Sequence, residues 1–492
     1  MGSCNATAQV KMAGEFDAFE AKMKNAGLSD AAIAAFKKNY DQLIAGVTGM
    51  VPEVDIDSAS GLPSLLDLPS VSPADAKSLL SQTAVLKLNG GLGTSMGLEK
   101  AKSLLVVKDG KTFLDLIAEQ VKHMRASYGS NVIFTLMNSF STSEDTRAFL
   151  QEKHPDLLQE PLIELLQNMS PKVDAATSAP ASYPQQPDME WCPPGHGDIY
   201  PSLLGSGMLD RLLDQGIKYL FVSNSDNLGA TLDLDLLSYF AASGKAFLME
   251  VCERTAADKK GGHLCVRRAD GRLMLRESAM CPDEDKKAFE DIEKHRYFNT
   301  NNLWVSLPAL QATLAACGGA LPLPLIKNKK TVNPRDGASA PVFQLETAMG
   351  SAIECFDNSG AIVVPRSRFA PVKTCSDLFV LRSDVYRIAE DATIAVIPEL
   401  LPATKGAPPA VPLVKLDDKH YKLVDQLESL APAVPSLKGA SAVTVKGAVK
   451  FAAGVVLKGE VVVEAVGGGV GELAAGEYSG SVKVGEAAGV SA

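Results

Sequence analysis

Leu88-Asn89-Gly90-Gly91-Leu92-Gly93-Thr94-Ser95-Met96-Gly97 follows directly on the apolar run Ala84-Val85-Leu86-Lys87-Leu88, with Lys102 a few residues on. An apolar run that stops at four glycines predicts a buried strand and then a loop whose backbone comes very close to something. Without Cβ atoms, successive N–H groups can turn into one concavity, and such a nest at the carboxyl end of a strand suits phosphate oxygens. The spacing from Gly91 is G-x-G-x-x-x-G, which is not the dinucleotide fingerprint G-x-G-x-x-G. The P-loop pattern also fails, because Leu92 stands where its first glycine would be. A turn that merely joins two elements is the alternative; the loop favours a phosphate ester.

On either side of this loop, short apolar runs alternate with helical stretches from residue 84 to about 385. Ala84–Leu88, Val132–Met137, Tyr219–Ser223, Ala246–Val251 and Ile362–Val364 read as strands, and Thr112–Met124 as the first helix. Such alternation predicts an α/β fold, a mainly parallel sheet flanked by helices that binds its ligands at the strands' carboxyl ends. Residues 14–46 have helical apolar spacing, with Ser29 as an N-cap. Residues 404–438 read as a Pro- and Gly-rich connection. Beyond it Val443, Val449, Val455 and Val461 recur every six residues, as do Val445, Phe451, Leu457 and Val463. Two in-phase rows predict a hexapeptide β-helix, with Gly447 and Gly459 at equivalent corners; two Val-rich hairpins are the alternative. The expected division is 1–80, a helical N-terminal region; 81–385, a catalytic nucleotide-binding domain; and 386–492, a C-terminal domain with the β-helix.

The 492 residues are 46% hydrophobic and carry a net charge of −10, which suits a large core and argues against general attraction to nucleic acid or anionic membrane. No apolar run is long enough to span a bilayer and no signal pattern opens the chain, so a cytoplasmic location is expected. The eight cysteines form no C-x-x-C pair and read as free thiols; the six histidines have no H-x-x-x-H spacing. Met1-Gly2-Ser3-Cys4 begins like a myristoylation signal, but Ala6 stands where Ser or Thr is wanted.

Six further segments carry chemistry. In Trp191-Cys192-Pro193-Pro194-Gly195-His196-Gly197-Asp198-Ile199-Tyr200 two prolines fix the backbone, and two glycines let it pass close to a ligand while displaying His196. In Phe221-Val222-Ser223-Asn224-Ser225-Asp226-Asn227 an acid follows a buried strand. That makes Asp226 the metal candidate, since Mg²⁺ takes one or two carboxylates plus phosphate oxygens; a helix N-cap is the alternative. Lys259-Lys260-Gly261-Gly262-His263, Arg276-Glu277-Ser278 and the turn-like Phe298-Asn299-Thr300-Asn301-Asn302 gather amides and a carboxylate suited to sugar hydroxyls. Pro365-Arg366-Ser367-Arg368-Phe369-Ala370-Pro371-Val372-Lys373-Thr374 concentrates three cations and reads as an anion trap, with a solvated basic loop as the alternative.

These segments, in this order, resemble the eukaryotic UTP–glucose-1-phosphate uridylyltransferases. That family's loop reads L-N-G-G-L-G-T-x-M-G followed by P-K. Ala101 replaces the proline, and Leu98-Glu99-Lys100 replaces C-K-G, changes similar to those of the protozoan and algal branch. The resemblance implies a nucleotidyltransferase fold, Rossmann-like, with a C-terminal left-handed β-helix used in self-association. It implies Lys373 and Lys102 as catalytic. It further implies UTP on Leu88, Asn89, Gly90, Gly91, Lys102, Gln167, Gly195, Asp226 and Lys373. The sugar phosphate falls to Gly90, Gly91, His196, Asn224, Ser225, Asp226, Gly262, Glu277, Asn299 and Asn301, and Mg²⁺ to Asp226.

The expected reaction is in-line attack by glucose 1-phosphate on the α-phosphorus of UTP, giving UDP-glucose and pyrophosphate reversibly, with no side-chain nucleophile. A relaxed-specificity sugar-1-phosphate or N-acetylhexosamine-1-phosphate uridylyltransferase is the enzymatic alternative. An inactive scaffold is the other, and it would require loss of Lys102, Asp226 or Lys373. Residues 440–492 hold no cluster fit for phosphate work, and Gly467-Gly468-Gly469 with the tail beyond reads as a cap. The expectation is therefore a monomer or weak dimer, whose truncation near residue 438 lowers stability or changes KM while leaving turnover.

Overall fold

A computed structural model describes residues 16–255, 258–403 and 409–485. The Met1–Cys4 segment lies outside the described residues. The centre is a ten-stranded sheet ordered Ile56–Ser58, His263–Arg267, Tyr297–Ser306, Tyr219–Asn224, Thr83–Leu88, Ile133–Asn138, Glu164–Leu166. Phe247–Glu253 joins Tyr297–Ser306 to Ser359–Val363, and Leu273–Arg276 borders His263–Arg267. From Tyr219–Asn224 to Glu164–Leu166 every pairing is parallel, as is Phe247–Glu253 with Ser359–Val363. The pairings made by Tyr297–Ser306 and His263–Arg267 are antiparallel. Phe247–Glu253, His263–Arg267, Leu273–Arg276 and Tyr297–Ser306 succeed one another without the long crossover helix that parallel pairing demands.

The sheet is covered on both sides. Val85 and Phe221 face one core with helices Phe113–Tyr128 and Leu234–Ser243, while Ala84, Leu86 and Val222 face another with Ile199–Gly205, Met208–Asp214 and Leu307–Ala316. Helix Phe113–Tyr128 starts at a reciprocal cap, where Thr112 and Asp115 each accept from the other's backbone N–H, and it stops at Gly129 in the left-handed conformation. Near the amino end, helical residues 16–25 and helix Asp30–Ile44 pack Phe16, Phe19, Phe36 and Tyr40 into an aromatic cluster; Ser29 caps the second of them at Ala32 N, 3.2 Å. No helix among the described residues is long and apolar enough to cross a membrane.

The C-terminal strands stack in parallel. Val443 pairs with Val461 and Val445 with Val463, so one coil takes eighteen residues, and each six-residue step turns one corner. Gly447 and Gly459 both have positive φ, +74° and +65°, but twelve residues apart they occupy different corners of that coil, not equivalent ones. The tail is not a cap. Gly471–Leu473 pairs with Val449–Phe451, and Gly476–Val484 with Val455–Ala465, so another coil is laid down after Gly467–Gly469 bulge out of the rows. On the opposite side of the stack Leu413–Lys415 pairs with Ala442–Thr444. The connecting stretch also contains short helices Asp418–Tyr421 and Val424–Leu430, whose Tyr421 and Leu427 are buried.

Candidate active site

The parallel strands end together, and the site begins there. Asn224 sits beside Leu88, which has Met137 on its other side. Ser225 clamps the two strand ends by donating from its N–H (3.1 Å) and its Oγ (2.8 Å) to the Leu88 carbonyl. Asn89 is buried, its Nδ2 donating to Asn138 Oδ1 (2.7 Å) and Thr146 Oγ1 (3.0 Å), so its side chain fixes the loop's departure. A Cβ on Gly90 would come within 2.9 Å of Gln167 Oε1, whereas Gly91 faces open space. Past Gly93, at φ +68°, the loop returns so that Lys102 N–H donates to the Gly91 carbonyl (3.0 Å). Lys102 Nζ then meets Asp226 Oδ2 at 2.7 Å. Asp226 caps no helix; that role falls to Asp233, whose side chain accepts from Leu236 N ahead of Leu234–Ser243.

A cavity of about 350 Å³ opens over these strand ends. Leu88, Asn89, Gly90, Gly91, Lys102, Gln167, Gly195, His196, Asn224, Ser225 and Asp226 line it, with Ser103, Met137 and Pro193. The hydroxyl of Ser103 is buried there without a hydrogen-bond partner among the described residues, and no motif pointed to it. A larger space of about 480 Å³, walled by Val85, Ile117, Val121 and Leu232, lies apart and includes none of the expected site residues.

His196 is held for one tautomer. Met349 N–H donates to its Nδ1 (3.0 Å), which leaves the proton on Nε2, and burial pushes its pKa down to about 4. Gly195 (φ +80°) and Gly197 are required by the protein itself, since a Cβ at either would strike Thr347. Gln167 Nε2 donates to the Gly195 carbonyl (2.9 Å). Asp198, buried and without an ion pair among the described residues, accepts from Asn168 N–H (2.7 Å) and Ser202 Oγ (2.7 Å); burial pushes its carboxyl up to about 6.

Gly262, Glu277, Asn299, Asn301 and Lys373 do not line that cavity and form a second group. The Glu277 carboxylate packs against Gly262, where no Cβ would fit; burial raises its pKa and Lys373 opposes the rise. The Asn-rich segment is a strand and not a turn. It lies within Tyr297–Ser306 and bulges opposite Met249–Val251, with Asn301 at φ +60° and tied to Asn299 by two hydrogen bonds of 2.8 and 2.9 Å.

Residues 365–374 are not a trap of three cations. Arg366 is paired bidentately with Asp258 (2.7 and 3.0 Å), and Arg368 with the buried Glu250 (2.7 and 2.7 Å). Of the three, only Lys373 makes no ion pair among the described residues, and it is exposed. Val372 N–H donates to the Asp226 carbonyl (3.1 Å), which brings Lys373 beside the first group. The seven described cysteines are free, and burial pushes the Cys192 and Cys252 thiols up to about 12.

Among the described residues no three His, Cys, Asp or Glu side chains gather into a metal cage. A lone carboxylate beside a phosphate-sized cavity suits a cation that arrives with phosphate oxygens.

The family model described as UTP--glucose-1-phosphate uridylyltransferase matches residues 33–458. The UTP--glucose-1-phosphate uridylyltransferase of Saccharomyces cerevisiae is 41% identical over 386 residues, covering 78% of this chain and 74% of its own. That of Encephalitozoon cuniculi is 41% identical over 388 residues, 79% and 74% of the two chains. Among solved structures, the UDP-glucose pyrophosphorylase of Leishmania major superimposes with a TM-score of 0.88 at 45% identity, over 96% of this chain and 99% of that one. A mutant of it in complex with UDP-glucose gives 0.88 over 95% and 99%. The Trypanosoma brucei structure gives 0.85 at 46% identity, over 96% and 100%.

Proposed function

The chain belongs to the UTP–glucose-1-phosphate uridylyltransferase family, and we propose that it transfers the uridylyl group of UTP to glucose 1-phosphate, releasing pyrophosphate. The observation that carries this is the convergence of the Gly90–Gly91 loop, the Lys102–Asp226 pair and His196 on one cavity at the ends of parallel strands. In the reaction a phosphate oxygen of glucose 1-phosphate forms a bond to the α-phosphorus of UTP. The bond from that phosphorus to the bridging oxygen breaks in line, and the electron pair leaves with pyrophosphate. The reverse reaction uses the same geometry. No protein nucleophile is needed, so catalysis is alignment plus neutralisation of crowded charge.

The roles divide by place. Leu88, Asn89, Gln167 and Gly195 frame the uracil end, and the N–H groups of Gly90 and Gly91 face the phosphates. Lys102 releases Asp226 to contact the triphosphate, and Lys373, the unpaired cation of its loop, reaches in to the α-phosphate. Nε2–H of His196, with Asn224 and Ser225, holds the sugar phosphate. Gly262, Glu277, Asn299 and Asn301 hold the glucose hydroxyls. Asp226 fits Mg²⁺ as its one protein carboxylate; when bound, the cation supplies charge neutralisation at the phosphates.

The proposal extends to a cytoplasmic enzyme, a monomer or weak dimer, built as 1–80, 81–385 and 386–492. The test is a coupled assay of pyrophosphate release from UTP with glucose 1-phosphate, galactose 1-phosphate and N-acetylglucosamine 1-phosphate in parallel. Glucose 1-phosphate should lead the panel. Equal turnover of the N-acetylated sugar would refute the glucose assignment, and no release with any sugar would refute the activity.

A further inference from the structure

Glu250 lies in the middle of strand Phe247–Glu253 and is fully buried, where a carboxylate persists only if it is well paired. Four donors reach it: Arg368 Nη2 (2.7 Å) and Trp304 Nε1 (3.0 Å) at Oε1, Arg368 Nε (2.7 Å) and Asn302 Nδ2 (3.0 Å) at Oε2. Its main-chain carbonyl accepts a fifth bond, from Thr300 Oγ1 (2.7 Å). The register shows what these bonds hold. Met249 faces Leu303 and Val251 faces Asn299, so Glu250 alone stands opposite Thr300–Asn302. It grips both ends of the bulge in which Asn301 takes its left-handed conformation.

Arg368 carries the constraint to the other substrate segments. Its carbonyl accepts from Asn227 Nδ2 (3.1 Å) and Asn302 Nδ2 (3.3 Å), and Asn227 Oδ1 accepts from Ala370 N–H (3.0 Å). Two residues on, Val372 is bonded to Asp226. Arg368 Nη2 also donates to the Thr231 carbonyl (2.9 Å), and Asp233 stands 3.9 Å from its Nη1. The bulge with Asn299 and Asn301, the turn with Asp226 and the loop with Lys373 are thus joined through one carboxylate that lines neither cavity.

We propose that Glu250, acting through Arg368, is a positioning residue for uridylyl transfer, fixing the spacing of the sugar-holding bulge and the Lys373 loop without touching substrate. This rests on the reaction proposed above. A purely structural ion pair can be exchanged for apolar side chains with little loss of stability, and that separates the two roles.

The experiment is Glu250→Leu with Arg368→Met in the full chain, with melting temperature, kcat and both KM values measured. A positioning role predicts a folded double variant whose kcat falls about 100-fold, the scale of a misplacement of about 1 Å. KM for UTP should change less than KM for glucose 1-phosphate, because Glu250 reaches the nucleotide cavity only indirectly, through the Arg368 loop and Asp226. KM for glucose 1-phosphate should rise. A folded double variant with parental kcat overturns the proposal. If the double variant does not fold, Asn302→Leu leaves the ion pair intact but removes the amide's bonds to Glu250 and to the Arg368 carbonyl, and should still lower kcat about tenfold or more; unchanged kcat there overturns it equally. The parent is assayed first. An inactive parent sinks the reaction and Glu250's role in it, whereas an active parent with an active double variant sinks the role alone.

Discussion

Two systems of parallel strands stand in this chain, and they put the same pairing to opposite use. In the sheet, Thr83–Leu88, Ile133–Asn138 and Tyr219–Asn224 end together, and the next residue after each strand is polar: Asn89, Ser139 and Ser225. In the C-terminal coils, Val443, Val449, Val455 and Val461 repeat inward, and each strand runs into a corner that leads to the next. Parallel pairing therefore carries no chemistry of its own. Chemistry arises where strands stop in register and the loops that follow them line a cavity.

The division predicts that damage to the coils removes stability and damage to the loops removes turnover. Phe451 is buried against Phe379, with ring centroids 5.6 Å apart. Phe451→Ala should cost about 3–5 kcal/mol of stability by leaving a cavity, while kcat at a temperature where the variant stays folded is unchanged. Denaturant melts together with steady-state kinetics check this, and a lost kcat in the folded variant would undo the division. Lys373→Ala should do the reverse, costing about 2.7–4 kcal/mol in the barrier, a hundred- to thousandfold in kcat, with the melting temperature unmoved. Parental turnover at saturating UTP would remove Lys373 from the chemistry.

Asp226→Asn probes the same contrast within the site. Its half-saturating Mg²⁺ should rise about tenfold or more, the scale on which even residues behind metal ligands act. Superimposable Mg²⁺ titrations of variant and parent would show that Asp226 is not a ligand.

The smallest effect concerns pH. The Asp198 carboxyl titrates at about 6 when folded, against an ordinary 3.8. The folded state thus binds this proton more tightly, and the group's contribution to stability is full below pH 3.8 and falls as pH rises through 6. His196, lowered to about 4, works oppositely; its contribution is full above pH 6.5 and is lost as pH falls toward 4. The two oppose each other in the interval they share. Asp198→Asn should expose the histidine's share as a steeper rise of melting temperature from about pH 4.5 to 6.5. A pH profile parallel to the parent's would mean Asp198 is not shifted.

Local rules made much of this legible in the sequence. The strand before Asn89 and the six-residue rows of valine are periodicities, and the loop's glycines are a steric requirement; each is written in neighbouring residues. What escaped was set by partners distant in the chain. Nothing near Arg366 and Arg368 announces Asp258 and Glu250, which turn two of three expected free cations into internal ties. The Asn299–Asn302 segment has turn composition, yet register against Met249–Val251 makes it a bulged strand. Gly467–Gly469 disguised the last coil, because an insertion at a corner shifts the phase of a repeat without ending it.

The coils share one apolar core with the sheet, running from Leu80 through Phe379 and Tyr421 to Val484. That continuity bears on how the protein is made. When Phe379 and Tyr421 are added to the chain, the valine rows meant to cover them have yet to be translated. At about 5–20 residues per second, the roughly eighty residues from Phe379 to Val463 keep that apolar surface open for on the order of ten seconds. The nascent chain thus passes that interval with a finished nucleotide loop and an unsealed flank, and its demand for chaperones is concentrated there.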